Sequence, residues 1–402
     1  MKHGWNSKHA RNGLSSTYIE ILKSCNRRFV RQDAAYCACT FMIKTKLAAV
    51  LIVLSNFMYA QTGDSLQKKL ARFDAELTGK ISPKEPGLSI IITRGNQVVF
   101  EKYYGYANLE QNIKLNAEHV LGIASMSKQF TGMAAVILVE EGKLSLEDDI
   151  KKYMPNLPIG DRKITISQLL SHTSGLSEIT KNEEFMNHIA QRHSVQEIID
   201  MAFKGDFTAE PGVKYQYCNT GYIIMAALIE KLSGQSYAAF LRNRIFLPLE
   251  MNDTYACDYY RNADNAVPRY FADSTGYAGA TTMHFSNLIG GGNIITNAGD
   301  MAKWGMALIS GDKLPRNYKK IWQSNRLNSG EETGYGLGLA GNEYNGKPYF
   351  YHPGMGDGMN SVNFIFPEDG ITVTVIRNQS KPKLTSVETA QLATDYLFFK
   401  KY

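Results

Sequence analysis

The stretch LGIASMSKQFTGMAAVILVE, residues 121–140, constrains this chain more than any other. A helix through FTGMAAVILV is apolar on every face. Phe130, Met133, Ala134, Ile137 and Leu138 make one stripe, and Gly132, Ala135, Val136 and Val139 cover the other side. A helix that is apolar all round is a buried one, so the rest of the fold must enclose it. Yet its first turn carries Lys128, three residues after Ser125. Positions i and i+3 share a helix face, so the amine can reach the serine oxygen. A serine hydroxyl is a weak nucleophile until a neighbour takes its proton. Burial disfavours the ammonium form of a lysine, and the positive end of a helix acts in the same direction. A lysine at the mouth of a buried helix therefore has the chemistry that a serine nucleophile needs. The plainer reading is an exposed lysine on a first helical turn.

Ser-x-x-Lys is not rare here. It also occurs at Ser65/Lys68, Ser310/Lys313 and Ser380/Lys383. Ser65 lies in a polar segment, Ser310 precedes Gly311, and Ser380 has Pro382 inside the motif. Only Ser125 opens a buried helix.

The pattern around that helix falls into three parts. Leu66, Leu70, Phe73 and Leu77 recur at helical spacing before Gly79, and LSIIITRGNQVVFEKYYG reads as two strands turning at Gly95-Asn96. From about 143 to 310 the chain reads mostly as helices and long loops. SLEDDIKKYMP is expected to be a helix capped by Ser145. TISQLLSHTSGL is expected to be a helix with a Thr165/Gln168 capping box that stops at Gly175. TGYIIMAALIEKLSG is a third, ending at Gly234. The chain then returns to strands at KPYFYH, NSVNFIFP and GITVTVIRN, with a turn at Asp369-Gly370, and closes on the helix LTSVETAQLATDYLFF. Strands at both ends and helices between them predict an α+β fold whose antiparallel sheet is assembled from both ends, with a helical region inserted.

The formal charge of +6 does not imply a nucleic-acid partner. Residues 1–41 hold seven Lys/Arg and two Asp/Glu, and Lys44 and Lys46 add to them, which leaves residues 61–402 at −1. MIKTKLAAVLIVLSNFMYAQ, residues 42–61, has two lysines, a short apolar run and small Ala60 before Gln61. This is the form of a signal peptide cleaved after Ala60. The run falls short of the roughly 20 apolar residues of a membrane span. Residues 1–41 hold three of the five cysteines and no apolar periodicity, so Met42 is the expected start and 1–41 an upstream or disordered extension. The expected domain plan is thus an extension (1–41), a signal peptide (42–60) and one enzyme-sized domain (61–402) that is exported to the periplasm or the exterior. Within that domain Cys218 and Cys257 can form at most one disulfide.

Two later segments carry further chemistry. EPGVKYQYCNTGY places Tyr217-Cys218-Asn219 before a helix, although Tyr-x-Asn recurs at Tyr106/Asn108 and Tyr260/Asn262. A phenol beside an ammonium can become phenolate-like and relay a proton, and an asparagine offers both amide donors and an acceptor. YHPGMGDGMNS contains the only His-x-Gly, His352-Pro353-Gly354, leading directly into a strand. Gly354 permits a close backbone approach, and the Met355 N–H that follows can donate to an oxyanion.

Ser125-x-x-Lys128, Tyr217-x-Asn219 and His352-x-Gly354 occur in this order, with Ser125 to Tyr217 spanning 92 residues and Tyr217 to His352 a further 135. This set resembles the serine β-lactamase and penicillin-binding-protein superfamily, in its class C β-lactamase-like branch. The resemblance runs from about 85 to 380 and includes GIASMSKQFTG, LLSHTSGL, PGVKYQYCNTGY, GGGNIITNAGDMAKW and YGLGL. It implies an antiparallel sheet flanked by helices, a helical subdomain and an active site between them. It implies Ser125 as the acylated nucleophile, Lys128 with Tyr217 as the proton-moving pair, and Asn219 on the substrate amide. His352 and Gly354 would line the substrate strand, and the Ser125 and Met355 N–H groups would form an oxyanion hole. No metal or cofactor is implied.

One departure shapes the expected substrate. Many relatives carry Lys-Thr-Gly on the substrate strand, where lysine and threonine grip a carboxylate, and this chain has none. His352-Pro353 offers no permanent charge and looks like the version of esterase- and peptidase-type relatives. The expected partner is a small ester, peptide or amide, with no nucleic acid and no stable membrane span in the mature chain. A D-alanyl peptidase or weak class C-type β-lactamase is the alternative enzyme, and a penicillin-binding or sensor protein with little turnover is the alternative outside catalysis.

Other candidates carry less. His172, at a helix end, reads as a structural cap and not a triad histidine. His188 and His193 are five apart, off the spacing of a helical zinc pair, and read as surface residues. Gly354, Gly356 and Gly358 precede a strand, unlike a dinucleotide loop. Gly-x-Ser-x-Gly is absent, which opposes an α/β-hydrolase. Cys218 reads as a small buried residue. Export gives a direct test: protein recovered from its native host should begin at Gln61 by N-terminal sequencing, and peptides from 1–41 on that material would contradict it.

Overall fold

The strands expected at the two ends of the chain meet in one sheet. β1 (Leu88–Arg94) and β2 (Gln97–Tyr104) form a hairpin that turns at Gly95, whose φ is 56°. β3 (Ala340–Tyr344), β4 (Lys347–Gly356), β5 (Met359–Phe366) and β6 (Ile371–Arg377) form a meander. The order is β3-β4-β5-β6-β1-β2, with every pair antiparallel. β6 lies on β1 from Arg377 opposite Leu88 to Ile371 opposite Arg94, which joins the two ends of the fold. The computed structural model describes residues 66–256, 265–273, 276–280 and 283–400, of which those from Lys69 onward belong to one unit. The extension 1–41, the signal peptide 42–60, Ser65, Cys257 and the Tyr260/Asn262 pair lie outside the described residues.

β5 and β6 are buried along their whole length, so the sheet has cover on both faces. Strand alternation shows how. Asn363 of β5 donates from Nδ2 to the Gln129 Oε1 of α2 (Lys128–Glu140) at 3.0 Å. Three residues away, and so on the opposite face, Asn360 Oδ1 accepts from the Ser386 N–H at 2.6 Å. Ser386 opens the last α-helix, Ser386–Thr394, which carries a Thr385/Glu388 capping box. That second face also holds the helix of residues 66–80, named α1, through a Phe73–Phe100 edge contact at 5.3 Å. Leu70, Phe73 and Leu77 are all buried. Between β2 and β3 lie α2, α3 (Asn219–Ser233) and α4 (Ala298–Ser310), with shorter helices and loops. The fold is α+β, an antiparallel sheet flanked by helices, as the sequence implies.

The central helix is enclosed as its composition requires. Every residue from Lys128 to Leu138 is buried. Phe130 packs on Trp304 of α4 at 4.7 Å and on Phe246 at 5.3 Å. Each fully buried side chain of this size contributes about 1.5–3 kcal/mol. The helix starts later than expected: Ala124–Ser127 form a 3-10 turn, and α2 begins at Lys128. In a 3-10 turn i and i+3 eclipse, so Ser125 and Lys128 still share a face.

Two expected helices are shorter than their patterns. Ser145 caps nothing: its N–H donates to Asp148, and only Ile150–Lys152 is helical, capped by Asp149. The N–H groups of Ile166 and Ser167 take the Asp148 and Leu146 carbonyls instead, so pairing across the chain overrides local propensity. The Thr165/Gln168 capping box forms, but its helix ends at Leu170, and His172 is left-handed at φ 61°. Gly175, at φ 73°, turns the loop beyond it. The third helix ends as expected, at left-handed Gly234.

β4 runs alongside the 3-10 turn, and Gly354 sets the spacing. A Cβ there would meet the Ile123 carbonyl oxygen at 2.1 Å and Ser361 Oγ at 2.3 Å. Gly354→Ala should cost about 1–3 kcal/mol by denaturant titration, the usual range for overpacking. It should also displace the Ser125 turn, which a loss of serine-directed labelling in still-folded protein would report.

Candidate active site

The 3-10 turn that carries Ser125 is held from two sides. Ser361 Oγ on β5 donates to the Ile123 carbonyl at 2.7 Å, and Ser127 Oγ accepts from the Ile294 N–H at 3.2 Å. Ala124, directly before Ser125, has φ 45°. A non-glycine residue in that region costs on the order of 1–3 kcal/mol and persists only where its surroundings enforce it. Ser125 itself is half-buried.

Lys128 is fully buried, and its amine has three neighbours. Nζ lies 3.2 Å from Ser125 Oγ, 2.7 Å from Asn219 Oδ1 and 2.8 Å from the Gly291 carbonyl oxygen. Asn219 Oδ1 and the Gly291 carbonyl can only accept. A neutral amine has two hydrogens, so these two acceptors consume both and turn the lone pair toward the Ser125 hydroxyl. Burial pushes the Lys128 amine down to about 7, against the opposing pull of Glu178 and, more weakly, Cys218. Near neutral pH much of the amine is therefore able to take a proton from Ser125.

Gly291 belongs to the Gly290-Gly291-Gly292 run, and its neighbour explains the glycines. Gly290 has φ 76°, and a Cβ on it would meet the Tyr222 carbonyl oxygen at 2.3 Å. The loop can thus lie flat against α3 and aim the Gly291 carbonyl at Lys128.

Tyr217 and Asn219 stand at the start of α3. The Tyr217 ring is 4.8 Å from Lys128 Nζ and remains 37% exposed. Burial of its phenol end pushes its pKa well above the ordinary tyrosine value, and interaction with Ser125 offsets this only in part. Near neutral pH the phenol therefore keeps its proton, which it can donate. His172 holds this segment. Its carbonyl accepts from the Gln216 N–H at 2.8 Å, its Nδ1 accepts from the Cys218 N–H at 3.0 Å, and its ring lies 4.2 Å from that of Tyr217. Cys218 is a buried thiol whose pKa burial pushes up to about 11. His188 is exposed and His193 half-buried, as surface residues would be.

Asn219 is committed to protein partners on both sides of its amide. Besides Oδ1 on Lys128, its Nδ2 donates to Glu178 Oε1 at 3.0 Å and its backbone N–H donates to Glu178 Oε2. His352 is also withdrawn from the cleft. It is 2% exposed, with Nδ1 at 2.7 Å from the Pro353 carbonyl oxygen and Nε2 at 2.9 Å from the Tyr335 hydroxyl. The carbonyl requires a proton on Nδ1, so Nε2 accepts from Tyr335. The imidazole has no hydrogen left for a substrate, and the expectation of direct contact is revised to support of the strand. Gly354 touches the serine turn as described, and Met355, next on that strand, is 74% exposed. Three groups escaped the sequence reading: Glu178, the Gly291 carbonyl and Tyr335. The last two lie inside quoted motifs, GGGN and YGLGL. Glu178 had only the signal of a lone acid between apolar Leu176 and Ile179.

A beta-lactamase family model matches residues 64–397. The chain belongs to the beta-lactamase family. It thus stands among the serine hydrolases related to β-lactamases and penicillin-binding proteins. Penicillin-binding protein 4* of Bacillus subtilis is 29% identical over 270 residues, covering 62% of this chain and 58% of that protein. Protein flp of Staphylococcus aureus is 26% identical over 332 residues, covering 79% and 64%. This beta-lactamase-family chain therefore spans about three fifths of the length of these curated relatives. Among solved structures, an octameric penicillin-binding protein homologue from Pyrococcus abyssi superposes with TM-score 0.71 at 28% identity, over 83% of this chain and 78% of that one. D-amino acid amidase from Ochrobactrum anthropi SV3 shares the fold with TM-score 0.69 at 23% identity, over 83% and 97%.

Burial holds the His352 imidazole down to about 3, and a charge on Lys128 adds to this. Ring nitrogen chemical shifts should therefore show one neutral tautomer, protonated at Nδ1, with no titration from about pH 8 to about pH 5. A midpoint near the ordinary value of about 6.5 would contradict the buried arrangement.

Proposed function

We propose that this chain hydrolyses a neutral ester or amide through an acyl-enzyme on Ser125. The observation that carries this reading is the Lys128 amine, fully buried 3.2 Å from Ser125 Oγ with its remaining hydrogens directed elsewhere. Ser125 Oγ attacks the carbonyl carbon while Lys128 Nζ takes the hydroxyl proton. The Ser125 and Met355 N–H groups stabilise the oxyanion. The Tyr217 phenol gives a proton to the leaving oxygen or nitrogen and recovers one from Lys128. Water then attacks the acyl-enzyme by the reverse path, releasing the acid. No metal ion or cofactor enters these steps.

The substrate is uncharged at the reacting end. A lysine on β4 would anchor a carboxylate, but His352 stands there, neutral and bonded on both ring nitrogens. Loss of a charge-assisted hydrogen bond costs roughly 1.5–3 kcal/mol, or about ten- to a hundredfold in binding. Tyr215, Tyr217 and Met355, exposed by 40%, 37% and 74%, give the mouth an apolar rim that suits a neutral acyl or leaving group. The N-terminal signal pattern supports an exported enzyme.

The test is a parallel turnover screen of nitrophenyl esters, D-amino-acid amides and peptides, and a chromogenic cephalosporin. Neutral esters or amides should lead, and a cephalosporin in first place would favour β-lactamase action. Ser125→Ala should lower turnover by about a thousandfold or more and remove the single fluorophosphonate adduct seen by intact mass. Because Lys128 must be neutral to act, the acylation rate should rise with pH through about 7 and then level, following the depressed lysine value. A rate that is flat from about pH 5 to about pH 9 would exclude Lys128 as the base.

A further inference from the structure

Glu178 is a buried carboxylate, 6% exposed and bound by four donors. Oε1 accepts from Asn219 Nδ2 at 3.0 Å, from the Thr180 N–H at 3.1 Å and from Thr180 Oγ1 at 2.9 Å. Oε2 accepts from the Asn219 N–H. Both oxygens therefore accept hydrogen bonds from the protein. Glu178 also sits at the N-terminus of α3, where the helix dipole favours negative charge.

Two of the four donors belong to Asn219. A carboxylate can face only the NH₂ side of an amide, so Glu178 dictates which way Asn219 is turned. The amide oxygen is thereby aimed at Lys128, which meets it at 2.7 Å. If the amide were reversed, its NH₂ would face the amine. Lys128 would then lose one of the two acceptors that orient its lone pair.

Glu178 acts on Lys128 through its charge as well. The ionisable groups around the amine are Glu178, Cys218, His172, His352, Tyr217 and Tyr222, the last with its ring 5.2 Å from Nζ. Burial keeps both histidines, both phenols and the thiol neutral near pH 7. Glu178 is the carboxylate of the set, and it acts on the amine electrostatically. Its attraction favours the ammonium, so it opposes the burial that leaves the Lys128 amine unprotonated near neutral pH.

We propose that Glu178 is a positioning residue for the reaction: through Asn219 it orients the Lys128 amine toward Ser125, and its charge sets the pH at which that amine is free. The inference rests on the serine acyl-enzyme reading above. Glu178 does not touch the reacting atoms. It fixes the group that fixes the base.

The two effects separate in pH profiles of kcat/KM for a neutral nitrophenyl ester, measured on the full chain with thermal melting as a check of folding. Glu178→Gln should lower the high-pH plateau by about tenfold or more, since a misaimed base is costly. It should also move the acid limb down by about one pH unit. Glu178→Asp keeps the charge on a shorter arm, so its plateau should fall while its limb stays. In an Asn219→Ala background, Glu178→Gln should leave the plateau alone and still move the limb. A Glu178→Gln limb that does not move overturns the electrostatic half. A plateau loss that persists unchanged without Asn219 overturns the positioning half. If Glu178→Gln does not fold, an unchanged plateau in Glu178→Asp overturns positioning. Activity retained by Ser125→Ala would instead sink the serine reading itself, a result distinguishable from any of these.

Discussion

The burial of the Lys128 amine is the constraint on which the arrangement depends. Placing an ammonium in a protein interior carries a desolvation cost of several kcal/mol. Here that cost is expressed as a lowered pKa, so the group spends much of its time neutral at physiological pH. The enclosure must be complete. Helix α2 is covered by α3 and α4, the glycine loop lies across its first turn, and the YGLGL segment closes against it, with Gly338 placed so that a Cβ would meet the Lys128 carbonyl oxygen at 2.7 Å. Packing and electrostatics are one problem at this point: the contacts that exclude water from α2 are those that lower the pKa of its lysine.

A buried amine also needs partners in fixed places. Asn219 Oδ1 and the Gly291 carbonyl come from segments 91 and 163 residues away in sequence. Each is held by something further out. Glu178 turns Asn219, and the left-handed Gly290 lets its loop lie close enough to present the next carbonyl. His172 clamps both sides of Tyr217 from a left-handed conformation of its own. The strained positions Ala124 and His172 thus lie beside Ser125 and Tyr217, where rigidity is most useful and the surrounding fold can enforce it.

His352 shows how a substrate-facing position can change its role. Its carbonyl and Tyr335 contacts consume both ring nitrogens, and burial keeps the ring uncharged. The strand delivers Gly354 to the serine turn and carries an uncharged ring at His352. Under the proposed function, such a site discriminates by shape and apolar contact in place of a salt link.

Much of this was legible in the sequence because it is local. Periodicity located α2 and α3, strand-forming runs either side of Asp369-Gly370 located β5 and β6, and the Thr165/Gln168 box located a helix start. Ser125, Lys128, Tyr217 and Asn219 stood out because their two motifs lie at the mouths of the buried helices α2 and α3. What stayed hidden depends on distant pairing. Ser145 has a capping pattern but no helix, because the 146–150 segment pairs with 164–167. Glu178 looked like any loop acid, since nothing local says that its oxygens will meet Asn219, 41 residues on. The tautomer of His352 was undetermined until Tyr335 was placed against it. Sequence by itself determined which helix is buried, which serine opens it and which residue types stand ready. Only the tertiary structure decided which way each amide, imidazole and amine points, because hydrogen-bond direction is set by partners that the chain brings together only on folding.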